Sequence, residues 1–274
     1  MFWKEFNYRM HSIEKQILFL LTKKRCMHAK ELVQIYTKRG YREQSIRNVL
    51  SRMKKEKYIQ AEERSLYSIV DKGEQFLSFV NRKPWQYDVD WNHKWCFVHF
   101  EVPELERVKR DQFRLHLLQL GFGQLYKGVY VSPWDYSKQL MPWIHASSME
   151  EYVTISEASM LFGDITPERA AEIWPLGDIH QLYQEKWQWY QGEFLPVLNQ
   201  EIRGGMDPLE LFVLYLHIGE VISELSLRDP MLPIPLLPED WMGHTIIAEL
   251  YRSFQSFATL IPSSSDYYQF LVNT

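Results

Sequence analysis

The spacing of apolar positions along this chain switches several times, and each switch marks a different kind of element. After Ser12, a residue able to cap a helix, Ile13, Ile17, Leu18, Leu20 and Leu21 recur at helical spacing. His28–Arg39 carries Leu32, Val33, Ile35 and Tyr36 and is stopped by Gly40. Arg42–Lys57 follows, with Ile46, Val49, Leu50 and Met53 on one stripe. Tyr58–Ala61 and Ser65–Val70 read as two short strands around a polar tip, Glu62–Arg64, and Lys72–Val80 returns to helical spacing. Three helices and then a hairpin is the element order of a winged helix-turn-helix, predicted over residues 1–82.

A linker at 83–92, marked by Pro84 and alternating charges, precedes a second pattern. Lys94–Phe100 is predicted as a strand in which Trp95, Phe97 and His99 share a face. Helix Leu105–Leu120 closes at Gly121, Gly123–Ser132 reads as strand, Tyr136–Ala146 as helix and Glu151–Glu157 as strand. This succession predicts a ferredoxin-like β-α-β-β-α-β domain over 93–165. From Thr166 onward, through Thr274, the chain reads as mainly helical. Pro167 suits the start of a helix over Glu168–Ile173; Ile179–Gln200, Pro208–Leu227 and His244–Leu260 are longer periodic runs. Between the last two, Arg228–Gly243 contains Pro230, Pro233, Pro235 and Pro238, which predicts an ordered loop. The fold class expected is α+β.

Charge adds what periodicity cannot. Residues 1–90 hold 19 Lys and Arg against 11 Asp and Glu, a net of +8; the rest hold 12 against 24, a net of −12. A basic head on an acidic body fits a chain that neutralises phosphates with its head alone, although a solvated basic face gives the same numbers. On Arg42–Lys57 the face opposite the apolar stripe presents Gln44, Asn48, Ser51 and Lys55, flanked by Arg47 and Arg52, with Arg42 and Ser45 in the first turn. Gln and Asn can bond adenine bidentately and Arg guanine at the major-groove edge, while Lys54, Lys55 and Lys57 suit phosphates. Arg64 at the hairpin tip is a further candidate contact, beside Glu62 and Glu63. The alternative is a helix whose polar face is only solvated.

Other chemistry finds less support. Cys26 and Cys96 form no CxxC, and two isolated thiols point to a reducing, cytoplasmic setting. The longest early apolar run, Ile17–Leu21, is too short to span a bilayer, and no signal peptide is predicted. The nine His form no HExxH and no helical pair, so no metal site is expected, and His99, His116 and His217 read as core histidines. No Gly-rich phosphate loop or nucleophile elbow is present, so no cofactor is expected. A metal-dependent nuclease would need clustered carboxylates, but Glu101, Glu104, Glu106 and Asp111 interleave with Arg107, Lys109 and Arg110. An effector pocket is a better prospect. Trp187, Trp189, Tyr190 and Phe194 gather on one segment and Tyr215 and His217 on another, and the proline-rich loop could roof a slot between them. An aryl group would stack there, with Arg203 or Arg228 meeting phosphates; the same rings read equally as core, and Arg228-Asp229 as an ion pair.

Several motifs together resemble the phenylacetic acid degradation repressor (PaaX-like) family. They are Val102-Pro103-Glu104, Arg110-Asp111-Gln112-Phe113-Arg114, Leu120-Gly121-Phe122-Gly123 and Gly128-Val129-Tyr130-Val131-Ser132-Pro133 in the middle of the chain. Arg228-Asp229-Pro230-Met231-Leu232-Pro233 and Leu236-Leu237-Pro238-Glu239-Asp240-Trp241 add to them near the end. In the head, Ile46–Met53 is similar to the family's recognition helix, with Arg47 and Arg52 in matching places. The wing departs from the family, which has Gly-Arg before Ser where this chain has Glu63-Arg64 before Ser65. The resemblance implies a winged helix, a ferredoxin-like domain similar to the small CRISPR-associated adaptation nuclease, and a helical effector-binding domain over 166–274. It implies a homodimer on a palindromic double-stranded DNA operator of an aromatic catabolic operon. It further implies release by an aryl-coenzyme A thioester such as phenylacetyl-CoA; the pocket read from the aromatic clusters makes Trp187, Tyr190, Arg203, His217, Arg228 and Asp229 the residues expected to meet it. The rival readings are the nuclease and a protein-interaction module that binds no DNA.

Overall fold

The computed structural model describes residues 12–205 and 207–271; for residues 12, 82, 201–204 and 258 it describes the backbone alone. The fold is α+β, with two antiparallel sheets among many helices. It divides into two compact units that cut across the order of the sequence. One comprises Met1–Lys83, Leu182–Leu225 and Gly243–Thr274; the other Pro84–Gln181 and Ser226–Met242.

In the first unit, α1 (Ser12–Lys23), α2 (Ala29–Lys38) and α3 (Glu43–Lys55) are followed by the hairpin β2 (Ile59–Glu63) and β3 (Leu66–Ile69) and by α4 (Asp71–Arg82). The cap read at Ser12 rests on a side chain outside the described residues. Ile17, Leu18, Leu32, Tyr36, Ile46, Leu50 and Ile59 are buried, so the apolar stripes read from spacing turn inward, with Val33 and Val49 half-buried. A two-residue strand, β1 (Met27–His28), pairs with β3 and gives the sheet order β1-β3-β2. Spacing does not announce so short a strand. The hairpin register slips between Ala61 and Glu63, and Ser65 takes a left-handed φ of 62° at the tip.

The same unit receives most of the C-terminal helices. The run predicted over Ile179–Gln200 comprises α8 (Leu176–Trp189), a π-helical turn (Tyr190–Phe194) and α9 (Leu195–Gly204). Pro196 has no N–H to give the Gly192 carbonyl, and the wider π turn absorbs that interruption. The longer helices α10 (Pro208–Arg228) and α11 (Gly243–Leu260) bury Phe212, Tyr215, Leu216, Ile218, Leu250 and Phe257.

The second unit holds β4 (Trp95–Phe100), α5 (Arg107–Leu120), β5 (Gly123–Tyr126), β6 (Val129–Ser132), α6 (Ser137–Ala146), β7 (Val153–Ala158) and α7 (Pro167–Ile173). The sheet runs β5-β6-β4-β7, so the first and third strands lie side by side in the middle. The strand predicted over Gly123–Ser132 is two strands around Gly128, whose φ of 75° the tight reversal requires. Phe100 stacks on Tyr130 and meets Phe113 edge-on, tying sheet to helix.

The two motif groups noted near the middle and the end of the sequence meet in this unit. Gly121 ends α5 at φ 102°, and a Cβ there would lie 3.3 Å from the Pro230 backbone. A Cβ on Gly123 would fall 2.2 Å from Ile173. Trp134 Nε1 donates to the Met231 carbonyl at 2.7 Å and Trp174 Nε1 to that of Gly121 at 3.0 Å. Pro230, Met231, Leu232 and Pro233 are buried, so this stretch of the proline-rich loop is core of its own unit.

Candidate nucleic-acid interface

α3 is amphipathic in the way its sequence requires. Ile46, Leu50 and Met53, at i, i+4 and i+7, are buried. Arg42, Gln44, Ser45, Arg47, Asn48, Ser51, Lys54 and Lys55 are exposed. Arg42 occupies the N-cap with extended backbone and makes no capping bond through its side chain. Four of these side chains are occupied locally, by bonds that lie in solvent. Arg47 donates twice to Glu43 Oε1, at 2.8 and 2.7 Å; Gln44 donates to Asn48 at 2.9 Å; Ser51 Oγ bonds the Arg47 carbonyl. Such exposed pairs contribute little to stability and exchange readily for an external partner. Arg52, Lys54 and Lys55 crowd the last turn, where the helix dipole favours cations.

Arg52 differs from the rest of this set. Its guanidinium grips Glu14 of α1 through Nε, at 2.7 Å, and Nη2. The Glu14 side chain is 1% exposed and that of Arg52 39%. Arg52 therefore compensates a buried carboxylate, which ties its position to α1. Arg64 stands exposed at the hairpin tip, while Glu62 accepts from Ser68 and Gln60, which hold its carboxyl below the usual range.

Sequence reasoning missed the groups that anchor the helix: Glu14 and, on the turn before α3, Arg39 and Tyr41. The signal for Glu14 was its place in the stripe of Ile17, Leu18 and Leu21, where an acid must find a partner. Lys15 beside it is also buried, and burial pushes its amine down to about 7.

The residues expected to meet an effector divide between the two units. In the first, Trp187 stacks on Tyr190 at 5.4 Å and Tyr190 on Phe194 at 5.8 Å; Tyr190 and Phe194 are buried core rings. His217 lies against Trp189 at 4.7 Å, and partial desolvation of its ring, with Arg39 and Lys186 and against Glu220, disfavours its charged form although the residue as a whole is exposed. His99 and His217 are exposed residues, not the core histidines expected, because each stands at an outward position of its element. Tyr215, buried between Phe212 and Phe254, has a hydroxyl with no partner among the described residues. The side chain of Arg203 lies outside the described residues. In the second unit Arg228 is exposed, whereas Asp229 is fully buried. Asp229 accepts from the Met231 N–H at 2.7 Å and the Tyr87 hydroxyl at 2.6 Å, which is a structural use of its carboxylate.

Among the described residues no group of three or more His, Cys, Asp or Glu could hold a metal ion. The acids at the start of α5 pair with cations: Glu104 with Arg110, Glu106 with Lys109 and Asp111 with Arg107. Both cysteines are free, and no described helix is long and apolar enough to cross a membrane.

The PaaX protein central Cas2-like domain matches residues 88–171, and the PaaX-like protein C-terminal domain matches residues 174–268. The transcriptional repressor PaaX of Escherichia coli is 26% identical over 213 residues. That match covers 75% of this chain and 66% of the repressor, so it spans just under two thirds of the relative's length. An uncharacterized protein of Mycobacterium tuberculosis, Rv0674, has a similar fold at a TM-score of 0.50 and 19% identity, over 89% of this chain and 93% of that one. With both domain models matched in order and a repressor among its relatives, the chain belongs to the PaaX-like family.

Proposed function

We propose that this protein is a transcriptional repressor rather than an enzyme, and that α3 reads duplex DNA. The observation that carries this reading is the solvent face of α3, a row of amide, hydroxyl and cationic groups on a helix whose other side is buried. Residues 1–82 then act as a winged helix-turn-helix, with α3 in the major groove and Arg64 on the backbone or minor groove. Residues 93–165, with sheet order β5-β6-β4-β7, act as a ferredoxin-like dimerisation and coupling module, and segment 166–274 binds the effector. The working form is a homodimer, so two copies of α3 meet half-sites about 34–36 Å apart.

The effector is a coenzyme A thioester of an aromatic acid, phenylacetyl-CoA being the type, and no cofactor is needed. The ring cluster around Trp189 and His217 would take the aryl group, and the unbonded Tyr215 hydroxyl would give a donor to its carbonyl. Binding favours a form in which the two reading helices no longer match the operator. Adding phenylacetyl-CoA to a preformed complex with a selected duplex should release the DNA, whereas free coenzyme A should not. A complex unmoved by every aryl thioester would sink the effector reading and leave the DNA reading standing.

A further inference from the structure

The turn between α2 and α3 is held by a helix 181 residues further along the chain. Arg39, at the C-cap of α2, pairs through its guanidinium with the Glu220 carboxylate of α10. Tyr41, two residues on, donates its phenol to the other carboxylate oxygen at 3.1 Å. Between them Gly40 takes a left-handed φ of 82°, open to glycine at little cost. Arg39 also donates to Gln16 of α1, whose amide donates to the main-chain carbonyl of Leu216, one turn before Glu220. The Arg39 and Glu220 side chains are only 5% and 17% exposed. One carboxylate thus grips the turn on both sides of Gly40, and α3 starts at Glu43, two residues after Tyr41.

A surface ion pair would mean little here, because exposed pairs hold their groups loosely. This one is largely withdrawn from water, with Arg39 donating to both Glu220 and Gln16 and Tyr41 donating to Glu220, so it sets a geometry and is costly to break on one side. We infer that Glu220 is a positioning residue for DNA recognition, a group on a C-terminal helix that fixes the turn leading into the reading helix. The inference rests on the reading of α3 as the DNA-contacting element. It makes α10 part of the head's scaffold. His217, with its ring cluster, stands one turn before Glu220 on that helix, so a ligand among those rings would act on the support of the turn.

The test uses the full chain with Glu220→Gln and the charge exchange Arg39→Glu with Glu220→Arg. Each is compared with the wild type by amide hydrogen exchange and by binding to a duplex that the wild type enriches from a random pool. Glu220→Gln should speed exchange within 29–55 by about tenfold and leave the strands of the other unit unchanged. It should lower the preference for the enriched over a random duplex about fivefold while random-duplex affinity changes less than about twofold, and the charge exchange should recover part of both. Unchanged exchange in 29–55 overturns the inference. Faster exchange with duplex preference intact also overturns it, since the pair would then only pack. A wild type that enriches no sequence overturns the DNA reading and the role given to Glu220 in it; the exchange difference separates that result from a failure of the grip itself. Should Glu220→Gln unfold, Tyr41→Phe, which removes one anchor alone, takes its place in the same comparison.

Discussion

Two regions of α3 carry the same residue type to different ends. On the solvent face, the Arg47 guanidinium pairs with Glu43, one turn away, and both side chains are about half exposed. On the seam with α1, Arg52 meets Glu14, which is buried. Spacing and charge give the two arginines the same standing. Burial of the partner separates them, because a solvated guanidinium is available to a new acceptor while one compensating a buried carboxylate is already committed. What a cation can bind is decided by what it must leave behind.

Breaking the seam should have the larger effect. Arg52→Ala leaves the Glu14 carboxylate buried without its guanidinium and should cost about 3 kcal/mol of stability, visible as a lower unfolding midpoint. Adding Glu14→Gln should return part of that loss. A midpoint unchanged in Arg52→Ala would show that the seam contributes nothing and that the two arginines are alike.

Lys15 sharpens the same contrast, since it lies next to Glu14 in the buried strip of α1. Its amine is pushed down to about 7 in the fold and titrates near 10.4 in the unfolded chain. Between these values the unfolded chain keeps a proton that the folded chain has released. The contribution of Lys15 to stability therefore rises with pH across that window and is least favourable at and below about pH 7. Lys15→Met should stabilise the protein at pH 7 by on the order of 1–3 kcal/mol, with the gain shrinking as pH approaches 10. Denaturant titrations at the two pH values check this, and a gain independent of pH would contradict it.

On the solvent face the expected stability change is the smallest. Arg47→Ala should move the folding free energy by less than about 0.5 kcal/mol, because it removes one exposed pair a helical turn apart. A loss as large as that of Arg52→Ala would mean that Arg47 is structural and that the face is not free to read anything.

The sequence was a good guide wherever the cause of a structure is local. The stripes of α1, α2 and α3 and the stop at Gly40 follow from neighbours within a few residues. So does the alternation of β4, which puts Trp95, Phe97 and His99 on one face. The exposed face of α3 was legible for the same reason. The interactions that fix α3 in place were not, since Glu14 and Arg52 lie 38 residues apart and Arg39 and Glu220 181 apart. No local period encodes such pairs; only the unsolvable position of a lone acid in an apolar stripe hinted at the first. Strand β1 was missed because two residues carry no period. The bonds that Asp229 accepts from Met231 and Tyr87 were not legible either, because those groups meet its carboxylate only in the folded unit.

The central claim is that the free face of α3, and not its seam, reads DNA. It is tested most directly by selecting a duplex from a random pool with the wild-type protein and measuring its affinity for Arg47→Ala at fixed salt. The account predicts that the wild type enriches one sequence and that Arg47→Ala loses about 1–3 kcal/mol on it while binding random duplex nearly as well. Enrichment of no sequence, or full affinity of Arg47→Ala for the selected one, would contradict it.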